Sequence, residues 1–187
     1  MSTFEYLSVA LSFVIGLGVT YLLSSLLSLF RERRTCRPDW LALLWAGYIF
    51  TYQVQFWWAT FEASAMETWT LPQFLGLLSF SLLLFGAGGL VIPRDAARYP
   101  EGLRAYFETD GRWGVGLLST YFVLAPPLNF WFFGTPILDP LNVSIFAMGL
   151  LGLGFLRLVD RRSQVVHSVV FGIVAAALFV WMSPWSY

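Results

Sequence analysis

Six long stretches of this chain carry no charged residue: 6–30, 40–61, 68–93, 113–138, 140–156 and 163–187. Within them apolar residues run continuously instead of alternating with polar ones, which favours helices over the strands of a transmembrane barrel. A helix rising about 1.5 Å per residue needs about 20 residues to cross about 30 Å of hydrocarbon. The fifth stretch is short between charges, so its helix is expected to begin near Thr135 and end near Arg157. The pattern predicts an all-α polytopic membrane protein, a single six-helix transmembrane bundle over residues 1–187.

The charged residues sharpen this picture. All eleven basic residues are arginines. Arg31, Arg33, Arg34 and Arg37 fill the first gap between apolar stretches. Arg94, Arg98, Arg104 and Arg112 fill or bound the third, and Arg157, Arg161 and Arg162 the fifth. Basic loops resist translocation, so these gaps are expected inside and both termini outside. The outer acids are then Glu5, Glu62, Glu67 and Asp139, against an inner face with a net charge of +4 (eleven Arg, seven acids). Such a face attracts anionic lipid headgroups, and membrane lipid, not nucleic acid, is the expected partner. Apolar content of 58% with only 12% charge sets the chain apart from soluble domains, which carry about 25% charged residues.

The first helix lacks the basic leading region of a cleavable signal and is too long for one. The single cysteine, Cys36, falls in an inner gap and leaves no disulfide framework. Arginine used without lysine hints at a GC-rich bacterial genome, and a bacterial inner membrane is the expected location.

Along the chain, Ser8, Ser12, Gly16, Thr20, Ser24 and Ser28 recur at intervals of four. A row of small residues lets another backbone approach closely, and its drift around the helix suits a crossing helix better than a pore lining. The second helix is dense in aromatics, with Trp40, Trp57 and Trp58 at belt positions. One of its faces reads Tyr48, Tyr52, Gln55, Ala59, Glu62, and Gln53 points elsewhere. Pro72 marks the start of the third helix. In the inner loop 94–112, Pro100-Glu101 reads as a helix start and Asp110-Gly111 as a stop. Leu103, Tyr106 and Phe107 share a face between them, which predicts a short amphipathic helix lying on the membrane. In the fourth helix Pro126 and Pro127 remove two backbone donors and leave carbonyls near Phe122 and Val123 without their usual partners. This is either an ordinary kink or the edge of a wet cavity.

Several chemistries are absent. Without lysine there is no retinal Schiff base, and one histidine supplies neither two axial haem ligands nor a histidine-rich zinc site. No P-loop, HExxH or nucleophile-elbow motif occurs. No membrane stretch places a carboxylate or arginine at its centre, where ion-coupled pumps need one. Neither enzymatic activity nor a cofactor or metal site is expected.

What remains is a constellation in the outer half. Tyr52, Gln55 and Glu62 on the second helix, Asn129 after the proline pair and Asn142 on the fifth helix lie there, beneath a rim that includes Glu67 and Asp139. Uncharged amides under an acidic rim make either a wet vestibule or hydrogen bonds between helices.

The runs FEYLSVALSFVIGLGVTYLLSSL, VQFWWATF and LRAYFETDGRW resemble a group of hypothetical bacterial six-span inner-membrane proteins, over the first four helices. The resemblance implies the fold and a bacterial origin and assigns no site residue. The leading functional expectation is a small oligomeric, channel-like or passive-transport protein with an acidic outer vestibule. The alternative is a non-catalytic accessory or sensor subunit that packs against partner membrane proteins.

Overall fold

A computed structural model describes residues 3–66 and 68–182, and these form six long helices with no strand among them. They are α1 (Thr3–Arg31), α2 (Trp40–Ala59), α3 (Leu71–Val91), α4 (Leu103–Phe133), α5 (Pro140–Phe155) and α6 (Arg161–Met182). Four of them, α1, α3, α4 and α6, are long and apolar enough to cross a membrane, and α5 is a shorter apolar helix.

Local chemistry sets the helix starts. Asp39 caps α2 by accepting from the Ala42 amide at 3.2 Å. Thr70 and Gln73 form a reciprocal capping box before Pro72 at the start of α3. Asp139 accepts from the Leu141 amide at 2.9 Å, with Pro140 opening α5, and Asp160 accepts from the Ser163 amide at 2.8 Å at the start of α6. Each side-chain oxygen satisfies a donor that the first helical turn leaves unpaired. Gly134, at φ 66°, ends α4 in the left-handed conformation that suits glycine.

All three arginine-bearing gaps meet at one end of the bundle. The Leu103 amide donates to the Arg37 carbonyl at 3.0 Å, Arg112 donates to the Leu156 carbonyl, and Arg161 pairs with Asp39. The far end carries a short 3-10 turn, Thr60–Ala65, and the link between α4 and α5. The outside is apolar: Phe13, Ile173 and Trp181 are among many large exposed side chains, as on a lipid-facing surface.

Interior contacts depend on small residues. α5 lies against α4 at Gly149 and Gly152, where an added Cβ would strike the Val123 backbone and the Ser119 side chain. This is the close approach that small residues permit. On α2, buried Gln53 fits between Gly18 of α1 and Gly88 of α3. Its Nε2 donates to the Leu84 carbonyl at 3.0 Å, while its Oε1 receives no hydrogen bond.

Two expectations need correction. The inner loop forms no separate amphipathic helix on the membrane. Leu103, Tyr106 and Phe107 do share a face, but it is buried inside the protein. The chain does not stop at Asp110-Gly111 because a π turn at Phe107–Gly111 carries the helix straight into Arg112. Gly111, lacking a side chain, passes close to the Val91 carbonyl at the end of α3. The fifth helix is also shorter than expected, since Gly134 and the Asp139 cap confine its start to Pro140. On α1 the small-residue row lies apart from the face that packs within the chain. That face is Leu11, Ile15, Leu22 and Leu29, while Ser12, Gly16, Thr20 and Ser24 are exposed and nothing lies within 4 Å of a Cβ built on Gly16. Period four gives the row its shared face, but a period cannot say whether that face meets a helix or the surroundings. Ser12 accepts from the Trp57 indole at 3.1 Å and Ser28 from the Ala96 amide at 3.4 Å, at the two margins of the row.

Candidate cavity in the arginine-poor half

The arginine-poor half of the bundle encloses a cavity of about 180 Å³ between α2, α3, α4, α5 and α6. One water needs only about 10–15 Å³ of such space. The cavity runs from Glu62, Phe133 and Leu141 near the helix ends down to Tyr52, Phe122 and Met148. Those three lie seven to eleven residues from the ends of their helices, a depth of about 10–16 Å at 1.5 Å per residue.

The wall on α2 is the face read from the sequence: Tyr52, Gln55, Ala59 and Glu62 all line the cavity. Tyr48, one turn earlier, turns away, and its hydroxyl donates to the Ser168 carbonyl at 3.2 Å. Gln55 is half-buried, and its amide makes no hydrogen bond to a described residue. Tyr52 donates weakly to the Met148 sulfur at 3.6 Å across the cavity floor.

On α4, Pro126 and Pro127 lie inside a helix that continues through them to Phe133. Asn129, one turn on, lines the cavity and donates through Nδ2 to Asn142 Oδ1 at 2.9 Å. Asn142 stands behind the wall, fully buried, and donates in turn to the Pro136 carbonyl at 2.9 Å. These two amides therefore join α4 to α5. Asp139 serves as a cap. Glu67 lies outside the described residues.

The sequence reading missed Tyr121. It is 8% exposed, lines the cavity, and packs edge-to-face against Phe56 and Phe80. Its hydroxyl has no hydrogen bond to any described residue and is not sealed from the void. Thr60 was also missed; it lines the cavity, and its hydroxyl donates to the Trp57 carbonyl at 2.6 Å. The one sequence signal for Tyr121 was its place five residues before Pro126, beside the freed carbonyls.

Toward the arginine-rich end a layer of buried aromatic rings joins the helices. Trp45, Phe107, Phe155 and Phe171 are completely buried in one ring cluster, with Trp45–Phe171 centroids 4.6 Å apart. The Trp45 indole donates to Ser168 at 2.8 Å, fixing α2 to α6. Beyond this layer, Arg161 reaches Asp39 and lies 3.9 Å from Glu108, which accepts from Arg104 at 2.8 Å. That network ties the arginine-bearing gaps to one another.

No known protein family, curated protein or solved structure matches the chain.

Proposed function

We propose that this is a six-span protein of a bacterial inner membrane, with its arginine-rich end in the cytoplasm and both termini outside. Its function in this reading is the passive, channel-like passage of a small solute entered from the outer face. The observation that carries the proposal is the cavity in the arginine-poor half, with the unbonded Gln55 amide on its wall. An amide without a partner among the described residues needs water or a solute there, because leaving it unsatisfied is costly. The ring cluster around Trp45 closes the route, so passage requires those rings to move.

The closed interior also gives weight to a second reading, a non-catalytic accessory or sensor subunit. In that case the exposed row at Ser12, Gly16, Thr20 and Ser24 is the seam for a neighbouring membrane helix or a second copy of the chain. Liposomes reconstituted with the purified protein alone separate the two. Uptake of small uncharged solutes that falls in Gln55→Leu supports passage, and liposomes no leakier than protein-free controls support the accessory role.

A further inference from the structure

The cavity walls point to a particular class of ligand. Most of its lining is aromatic or aliphatic: Phe56, Phe80, Phe122 and Phe133 stand with Leu77 and Met148 around the void. Two polar groups in that lining have no partner within the described chain, the Tyr121 hydroxyl and the Gln55 amide. Neither carries charge at neutral pH. Every arginine sits in the gaps at the opposite end of the bundle, so nothing in the cavity would balance an anion.

We propose that the cavity binds an uncharged ring compound bearing one hydrogen-bonding group, of which phenol is the smallest example. This assignment rests on the cavity reading given above. Ring walls prefer a ring, because aromatic edges and faces attract one another beyond simple area burial. A concave, mostly apolar site with few placed polar groups fixes orientation through those groups. Here the Tyr121 hydroxyl can either donate to or accept from a ligand hydroxyl, and the Gln55 amide supplies a second contact nearer the mouth. A ligand hydroxyl satisfies groups that otherwise need water. A methyl in the same place strands them.

Phenol and toluene form a matched pair that differs only in that group. The test measures binding of each to the purified full-length protein in detergent, with empty micelles subtracted to remove partitioning. Phenol is expected to bind about tenfold more tightly than toluene, the factor one net hydrogen bond supplies. Tyr121→Phe should abolish that preference by weakening phenol and leaving toluene unchanged. Its unfolding temperature should match the native protein, because the lost hydroxyl bonds no described residue. Gln55→Leu should also narrow the preference.

Equal affinity for phenol and toluene would overturn the proposal, as would an unaltered preference in Tyr121→Phe. Tighter binding of benzoate or tetramethylammonium than of phenol would overturn it too, by showing a charged ligand. Solute uptake by liposomes reports on passage alone. Selective phenol binding without uptake retains the ligand class and discards transport, whereas uptake without phenol preference does the reverse.

Discussion

Arg161, at the start of α6, is ion-paired with Asp39, the residue that caps α2, although 122 positions separate them in the chain. Asp39 is buried and Arg161 mostly so. Through Arg161 the charge also reaches Glu108 and Arg104 on α4. One guanidinium thereby gathers the three arginine-bearing gaps at one end of the bundle.

Removing that guanidinium should be costly. Arg161→Met leaves a buried carboxylate without its partner and should lower stability by about 2–3 kcal/mol, below the about 3–5 kcal/mol of a fully buried pair because some solvent reaches the site. The double variant Asp39→Asn/Arg161→Met should recover part of this loss, since asparagine still caps α2. Thermal unfolding in detergent measures both, and a double variant no better than the single one would contradict the pairing.

The two asparagines should behave unlike Gln55. Asn142→Leu strands the Asn129 amide and loses the bond to the Pro136 carbonyl, which should cost about 0.6–2 kcal/mol. Gln55→Leu breaks no bond to a described residue and should leave the unfolding midpoint within experimental error. Comparable losses in the two variants would mean that Gln55 is held after all.

Glycines on opposite sides of the bundle make a second contrast. Gly149→Leu drives a side chain into the Val123 backbone of α4; overpacking of this kind costs about 1–3 kcal/mol or more. At Gly16 an added Cβ has no described neighbour within 4 Å, so Gly16→Leu should leave the folded monomer unaffected. Cross-linking in membranes then reads whether Gly16→Leu disturbs association between copies, as the seam role for α1 requires.

Cys36 should be a poor nucleophile. Its thiol is buried, and burial pushes its pKa above the usual range, so less thiolate is present at any given pH. Maleimide labelling of the native protein should be much slower than in denaturant, with its rise displaced to more alkaline pH. Equal rates in both states would place Cys36 at the surface.

Single cysteines in a Cys36→Ala background test the orientation. Leu138 is 86% exposed at the arginine-poor end and Val159 is 90% exposed at the other. An impermeant thiol reagent should label Leu138→Cys in intact cells and Val159→Cys only after permeabilisation. The opposite pattern would invert the assignment of outer and inner faces.

The helices and the segregation of charge were legible because both are one-dimensional: unbroken apolar length and the order of arginines along the chain carry them. The cavity face of α2 was legible for a related reason, since Tyr52, Gln55, Ala59 and Glu62 repeat at helical spacing with polar groups among rings. Tyr121 was not, because in a helix apolar on every side only its place before Pro126 separates a ring facing a void from one facing lipid. The same ambiguity hid the direction of the Ser12–Gly16 row. The continuity of α4 was hidden by Asp110-Gly111, a pair that ordinarily ends a helix; here a π turn absorbs it and Gly111 allows α3 to pass. The Asp39–Arg161 pair depends on how distant gaps fold together, which no local pattern encodes.

Gln53, held between Gly18 and Gly88 with its amide on the Leu84 carbonyl, has a consequence for how the first three helices find their alignment. Smooth apolar helices can slide past one another with little change in contact. The glutamine works as an index pin. Shifting α2 by one turn, about 5.4 Å, would carry its amide out of the notch formed by two missing side chains and away from the carbonyl that accepts from it. Only one axial setting of α1, α2 and α3 accommodates the amide, so a contact made almost wholly of hydrocarbon acquires a single detent.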